Sequence, residues 1–376
     1  MTITDAPSAA DELRRHMADH LVSTGCIRSK PWRAAFLSVP RHEFVPHFTV
    51  RSQGVLHEYS QGDPAWLTAA YQDISLLTQF DQDGTATSSS TQPSLMARML
   101  EALDVRDGDT VLEVGAGTGY NAALLSHRLG ADHVVTIDVD PKLVATARDR
   151  LRQAGYEPTL VAGDGMAGHP ERAPYDRLLA TCGVPRIPAP WLEQLRPGGM
   201  IVANVGCGIA CLTLAADHSA DGRFLPGLAT FMAARPTPDA MGTTAQRLVK
   251  PLLAWTGQTR EITIPASLDA TGPQFLASLL HPQVDDFVLT NDGQQMRCLF
   301  EPRTSSWARI TMTGARTARL DHGGPRDLWT EREPLLTHWQ ETGRPGHERY
   351  GLTVAPDGAH TLRLDGPKNT RWQLPD

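Results

Sequence analysis

Through the middle of the chain, short apolar runs rich in β-branched residues alternate with stretches whose apolar positions recur at helical spacing. Val111, Leu112 and Val114 read as a buried strand, and Asn121 to Leu129 as a helix with Ala122, Leu125 and Leu129 on one stripe. Val134 to Ile137 is a second strand, ending at Asp138, and Pro141 opens a helix that runs to Gln153. Thr159 to Ala162 is a third strand, leading into Gly163-Asp164-Gly165; Tyr175 to Thr181 is a fourth, and Met200 to Val205 a fifth, after a turn at Pro197-Gly198-Gly199. Strands and helices alternating at this spacing predict an α/β fold: a mainly parallel, doubly wound sheet with helices on both faces.

The flanks carry other patterns. Leu13, Met17 and Leu21 predict an amphipathic helix over Asp11 to Thr24 with Gly25 at its end, and Pro31 opens a second helix through Trp32 and Phe36. From His47 to Thr87 the pattern is irregular, and we expect loops and short helices that could form a lid. Ser94 to Leu103 is a strong helix. From about Pro236 the character shifts: Pro236, Pro238 and Gly242 suggest a linker. Beyond it, runs at Glu261–Ile264, Phe287–Thr290 and Ala308–Met312 read as strands, Asp327 to Thr342 as a helix, and Leu352 to Leu364 as a hairpin around Pro356-Asp357-Gly358. The expected organisation is an N-terminal helical and lid region over 1–87, a core over 88–236, and a smaller α+β module over 237–376.

Composition narrows the function. The 376 residues are 41% hydrophobic and 20% charged, enough apolar material for a sizeable core. A net charge of −7 argues against a general nucleic-acid binder. The five cysteines, with no Cys-x-x-Cys pair, suit a reduced, cytoplasmic protein; Cys207 and Cys211 read as small core residues rather than half a metal site. Met1 to Ala10 lacks the apolar core of a signal peptide, and Met200 to Ala216, broken by Asn204, Gly206 and Gly208, reads as strand–turn–strand rather than a membrane span.

The candidate chemistry centres on Glu113-Val-Gly115-Ala116-Gly117-Thr118-Gly119. A dinucleotide fingerprint would place its third glycine where Tyr120 stands, and no lysine is near to make a phosphate-cradling loop. The spacing looks like the nucleoside-binding loop of S-adenosylmethionine (SAM) methyltransferases. Asp138, 19 residues beyond Gly119 at a strand's carboxyl end, suits a ribose diol. Asp164 could accept from an adenine amino group or cap the next helix. His42, His127 and His169 have no evident partner in the sequence, and no general base is apparent.

Taken in order, the motifs resemble the protein-L-isoaspartate O-methyltransferases. The resemblance runs through Val39-Pro-Arg-His-Glu-Phe-Val-Pro46, Thr91-Gln92-Pro93, the Glu113–Gly119 loop, Gly163-Asp-Gly165, Ala173-Pro-Tyr-Asp176 and Gln194-Leu-Arg-Pro-Gly-Gly199, over about residues 11 to 235. It implies a Rossmann-like SAM-dependent methyltransferase core in which Thr91, with Ser90 beside it, lies at the reacting centre. It also implies cofactor contacts from Glu113, Gly115, Ala116, Gly117, Thr118, Gly119, Tyr120, Asn121, Asp138, Val139, Asp164, Gly165 and Thr181, and substrate contacts from Ser89, Ser90 and Val184, with no metal. Two departures, the residues after Pro236 and the triple serine before Thr91, look like the subgroup that works with ATP-grasp ligases on crosslinked ribosomal peptides, the graspetides. That resemblance implies methylation of a peptide aspartate, closure of the ester to an aspartimide, and a crosslinked precursor peptide as partner, with neither nucleic acid nor membrane involved. General repair of isoaspartyl proteins is the first alternative, and a noncatalytic SAM-binding scaffold the second.

Overall fold

The computed structural model describes residues 8–52, 54–240, 253–291, 293–366 and 369–375. The start of the chain and Gly242 of the expected linker lie outside the described residues. The chain divides into two compact units. The first reaches to Asn204 and adds Ile209–Gly222 and Phe231–Ala240; the second holds Val205–Gly208, Arg223–Thr230 and the described residues from 253 on.

In the first unit, helices α1 (Ala9–Ser23) and α2 (Lys30–Ser38) come first. Ser8 and Asp11 exchange hydrogen bonds across the start of α1, a capping box that satisfies two otherwise orphaned amides. Residues 47 to 90 correct the expectation of loops and short helices. They form β1 (His47–Ser52), β2 (Val55–Ser60), the short helix α3 (Trp66–Ala70), β3 (Leu76–Phe80) and β4 (Ala86–Ser90), and the strands make an antiparallel sheet in the order β2-β1-β3-β4. The pattern hid them because burial does not follow an apolar alternation: Phe48 and Thr49 are buried in succession, β2 carries Val55 and Leu56 exposed, and β4 buries only serines, while Val45, Phe48, Trp66 and Leu76 pack together.

After α4 (Pro93–Ala102), the parallel core follows: β5 (Val111–Val114), α5 (Tyr120–Leu129), β6 (Val134–Asp138), α6 (Pro141–Gln153), β7 (Thr159–Ala162) and β8 (Tyr175–Val184). Every residue of β5 is buried, as expected of a strand covered on both faces. β5 pairs in parallel with β6 and β8, and β6 with β7. After the short helix α7 (Ala189–Glu193), β9 (Leu195–Val205), β10 (Gly208–Leu214) and β11 (Ala220–Phe224) extend the order to β7-β6-β5-β8-β9-β10-β11. The strand expected from Met200 begins five residues earlier and runs through Pro197-Gly198-Gly199, with Gly198 taking a positive φ of 81° inside it. The chain winds from β5 out to β7 and returns to β8 on the other side of β5. Ligands of open α/β sheets bind outside the carboxyl ends of the strands at such a reversal, here between β5 and β8.

In the second unit β12 (Gln258–Thr263), helix α8 (Thr271–Leu280), β13 (Asp285–Asn291), β14 (Gln294–Glu301), β15 (Ser306–Met312) and β16 (Thr317–Gly323) precede helix α9 (Leu328–Glu341). The five strands pair antiparallel in the order β12-β16-β15-β14-β13. Leu299, Ile310, Leu320, Trp329 and Leu336 form a core of its own. A meander of β17 (Tyr350–Val354), β18 (His360–Leu364) and β19 (Thr370–Gln373) closes the chain, with the expected hairpin as its first turn. α8, β14, β16 and β19 are not evident in the apolar pattern; Gly272 and Pro273 in the first turn of α8 disguise a helix as a loop.

Candidate active site

The glycine loop is held through its own backbone groups, by other backbone atoms and by two side chains. The amides of Gly115 and Ala116 both donate to Ile137 O, at 2.8 and 3.2 Å, and Gly119 N–H donates to Ala116 O at 2.8 Å. Gly115 has φ +103°, and a Cβ there would stand 2.7 Å from Thr181 Oγ1, so no larger residue fits. Thr181 Oγ1 itself donates to Gly115 O at 2.8 Å and ties the ends of β5 and β8 together. Gly119, also at positive φ, caps α5 and packs closely on Ala147 and Leu151.

Asp138 ends β6 beside this loop. Its carboxylate accepts from Gly117 N–H at 2.8 Å and from Asp140 N–H at 3.1 Å, one bond on each oxygen. A carboxylate offers about four lone-pair sites, so acceptor capacity remains on both oxygens for a vicinal diol. Burial raises the Asp138 pKa, opposed by these two amides and by the charge of Arg235. Val139 follows it, half-buried. Asp164 resolves one alternative in part: its Oδ1 accepts from Met166 N–H at 2.9 Å and caps a single turn of 3-10 helix. Gly165 lies against Val114, and its carbonyl accepts from Trp191 Nε1.

Four side chains in the motif and just after it turn away from the crevice. Glu113 is fully buried, and Asn121 Nδ2 donates to its Oε1 at 2.6 Å. Burial pushes the Glu113 carboxyl up to about 7. Tyr120 packs edge-on against Phe36 and at a tilt against Phe44, so only its backbone borders the loop. The Thr118 hydroxyl is buried and accepts, at 3.4 Å, from Tyr120 N–H.

The second wall is β4. Thr78 Oγ1 donates to Ser88 Oγ at 3.3 Å, and a Cβ on Gly117 would lie 3.6 Å from Ser89 O and 3.7 Å from Ser88 Oγ. The serine strand therefore stands directly against the glycine loop. Ser90 is buried, and its hydroxyl has no hydrogen-bond partner among the described residues; Thr91 follows half-buried. Val184, buried, ends β8 three residues beyond Thr181.

Residues outside the glycine motif hold this wall in place. Arg41, fully buried, donates from Nη1 to Ala70 O and Gln72 O, and from Nη2 to Ile74 O and Thr91 O, at 2.7 to 3.1 Å. Asp73 accepts from Ser94 N–H at 2.8 Å and from Gln92 Nε2 at 3.2 Å, fixing the start of α4. Gln79 Nε2 donates to Asp140 Oδ2 at 2.8 Å, while its Oε1 accepts from Thr87 Oγ1 at 2.8 Å. The signal for Arg41 was its place in the Val39–Pro46 motif; nothing local marks Gln79 or Asp73.

The histidines do have partners. His42 Nδ1 lies 2.7 Å from Tyr71 Oη, His127 Nδ1 3.0 Å from Tyr156 Oη, and His169 Nδ1 2.9 Å from Glu171. Burial lowers the pKa of His42 and His127, which favours neutral rings. All five cysteines are free, and no cluster of metal-ligating side chains occurs among the described residues. No helix of the described residues is long and apolar enough to cross a membrane.

A glycine crevice at a sheet's reversal point, faced by a serine strand, can be set beside known proteins. The model of one family, Protein-L-isoaspartate(D-aspartate) O-methyltransferase, matches residues 12–225. The chain belongs to this family. A relative named protein-L-isoaspartate O-methyltransferase from Methanopyrus kandleri is 40% identical over 196 residues, covering 51% of this chain and 76% of the relative. Another of that name, from Hyperthermus butylicus, is 38% identical over 205 residues, covering 52% and 76%. A solved structure of a protein-L-isoaspartate O-methyltransferase is 26% identical with a TM-score of 0.56, covering 94% of this chain and all of its own. The fold is the Rossmann-like one of SAM methyltransferases, and the chain is a SAM-dependent carboxyl O-methyltransferase acting on protein or peptide.

Proposed function

We propose that this enzyme methylates the free carboxylate of isoaspartyl residues in many unrelated peptides and proteins. One observation carries the reading: the serine strand that leads to Thr91 lies against Gly117, so a hydroxyl and a glycine-lined crevice share one rim. When bound, SAM supplies a methyl carried on a sulfonium. In this reading the Asp138 carboxylate takes the ribose diol, the Gly115–Gly119 backbone and Thr181 border the cofactor, and Asp164 with Gly165 borders the adenine. Ala116, Thr118 and Val139 act through backbone and packing, and Glu113, Tyr120 and Asn121 brace the loop from beneath.

The acceptor carboxylate is ionised at neutral pH, with a reference pKa of about 4, so the chain need supply no base. The partnered His42 and His127, whose burial favours neutral rings, fit that economy. Thr91, with Ser90 behind it, orients one carboxylate oxygen toward the methyl, and Ser89 and Val184 flank the peptide. A neutral hydroxyl orients without taking much charge from the nucleophile, as an arginine would. Overall, a carboxylate C–O–CH3 bond forms, the S–CH3 bond breaks, and the sulfur leaves as a neutral thioether. The ester then loses methanol when the neighbouring backbone nitrogen closes the imide.

A narrower reading, aspartate methylation of one crosslinked peptide, draws on Ser88–Ser90 and on the second unit, which would help to hold that peptide. The solved relative that aligns with 94% of the chain favours the broader reading, because residues beyond 225 have counterparts in a protein named for isoaspartate. The test is mass spectrometry with SAM on a panel of short isoaspartyl peptides, their aspartyl counterparts and a crosslinked precursor. Ester gain followed by methanol loss across the isoaspartyl panel is expected. Activity on the crosslinked precursor alone would select the narrower reading, and activity on none would leave a SAM-binding scaffold.

A further inference from the structure

Residues 231–240 lie beyond the stretch that the family model matches and belong to the first unit. They run as a strap along the carboxyl end of β8. Phe231 N–H donates to Asn204 Oδ1 at 3.2 Å. Gly183 N–H donates to Met232 O and Ala234 N–H to Gly183 O, both at 2.8 Å, so that Gly183 and Ala233 form a parallel bridge. A Cβ at Gly183 would stand 3.0 Å from Asn204 Oδ1 and 3.3 Å from Phe231 O, so the strap sits as near as a glycine permits. It passes two residues beyond Thr181, which closes the glycine loop.

The strap delivers Arg235. Its Nη1 donates to Pro238 O at 2.9 Å, which stiffens the strap, and its Nη2 reaches Thr87 O on β4 at 3.4 Å, four residues before Thr91. From Thr87 the path continues through Gln79 to Asp140 Oδ2, and from Asp140 N–H to Asp138 Oδ1. The charge of Arg235 in turn favours the ionised form of Asp138. The strap's backbone on β8 and its guanidinium on β4 thus link those two strands, and Gln79 carries the link on to the end of β6.

We propose that Arg235 is a positioning residue: it latches the 231–238 strap across the rim of the cofactor crevice and sets how tightly SAM is held, without touching the reacting atoms. The proposal rests on reading that crevice as the SAM site. The guanidinium meets the two carbonyls from two different nitrogens, whereas lysine has one, so lysine keeps the charge and is expected to keep one of the two bonds.

Calorimetry with S-adenosylhomocysteine, steady-state kinetics and ligand-free melting of the full chain test it. Arg235→Met is expected to raise the Kd and the KM for SAM about tenfold, the worth of roughly one or two hydrogen bonds, with kcat within about twofold. Arg235→Lys should fall between, and the ligand-free melting temperatures should agree. Equal binding by wild type and Arg235→Met would overturn the latch alone. So would a fall in melting temperature with kcat and KM both impaired and no rescue by lysine, which is the mark of a merely structural contact. A wild type that does not bind S-adenosylhomocysteine would overturn the reading of the crevice, and the latch with it.

Discussion

The loop from Gly115 to Gly119 and the strand from Ala86 to Ser90 face one another, yet they are held by different means. The loop depends on its own backbone: amides on Ile137 O and on Asp138, and glycines at positive φ. The strand pairs with β3 through its backbone and depends further on side chains distant in sequence: Arg41 reaches Thr91 from 50 residues away, and Gln79 reaches Asp140 from 61. A wall built from backbone groups tolerates few residue types, and its partners, Ile137 O, Asp138 and Thr181, lie at the ends of the adjoining strands. A side-chain-built wall is spelled in ordinary residues and fails when one remote partner is lost.

That contrast can be broken from either side. The largest effect is expected from Arg41→Ala, which strands four carbonyls and should cost about 3–5 kcal/mol of stability in urea unfolding. Burial lowers the Arg41 pKa to about 10, so the guanidinium stays charged throughout the neutral range. A loss under about 1 kcal/mol would mean that the strand wall does not depend on this clamp. On the other wall, Gly115→Val must place a branched side chain at φ +103° and 2.7 Å from Thr181 Oγ1. Strain of about 1–3 kcal/mol, with the overlap added, should weaken S-adenosylhomocysteine binding more than about 100-fold by calorimetry. Near-native affinity would move the cofactor elsewhere.

Beneath the loop, Glu113 ties stability to pH. Its carboxyl titrates at about 7 when folded, against 4.5 as the reference for the unfolded chain. The folded state therefore binds the proton more tightly. The stability this confers is full below about pH 4.5 and is lost as pH rises to about 7. Glu113→Gln keeps an acceptor for Asn121 and removes the titration, so between pH 5 and 8 wild type should lose on the order of 2–3 kcal/mol relative to the variant. Parallel melting curves for the two proteins would assign the proton to another group. The smallest effect is expected at the reacting rim: Thr91→Ala should lower kcat about tenfold, the worth of one orienting hydrogen bond, and leave the Kd for S-adenosylhomocysteine unchanged. A variant that loses binding instead would give Thr91 a part in the cofactor wall.

The parallel core was readable because buried strands are continuous apolar runs and their helices carry clear starts. Val111–Val114, Pro141–Gln153 and Thr159–Ala162 occupy the spans the pattern predicts. The antiparallel sheet was not. A strand such as Ala86–Ser90 is one alanine, one threonine and three serines, with no alternation to distinguish it from a polar loop. Its neighbours supply the burial, and they are remote in sequence. The same holds for Ser90, whose polar side chain gives no hint that it lies 3% exposed.

By itself, the order of residues determined where a backbone must bend: the glycine turns and the helix starts around the crevice are local, and a residue's intrinsic conformational range is fixed by its own side chain. Only the tertiary structure decided which side chains enter the crevice and which brace it. Glu113, Tyr120 and Asn121 stand in the same motif as Gly117, yet they point into the core, and Gln79, Arg41 and Arg235 join the rim from far along the chain. Facing direction and long-range hydrogen bonding are set by what packs on the other side of a strand, and that information is spread over the whole fold.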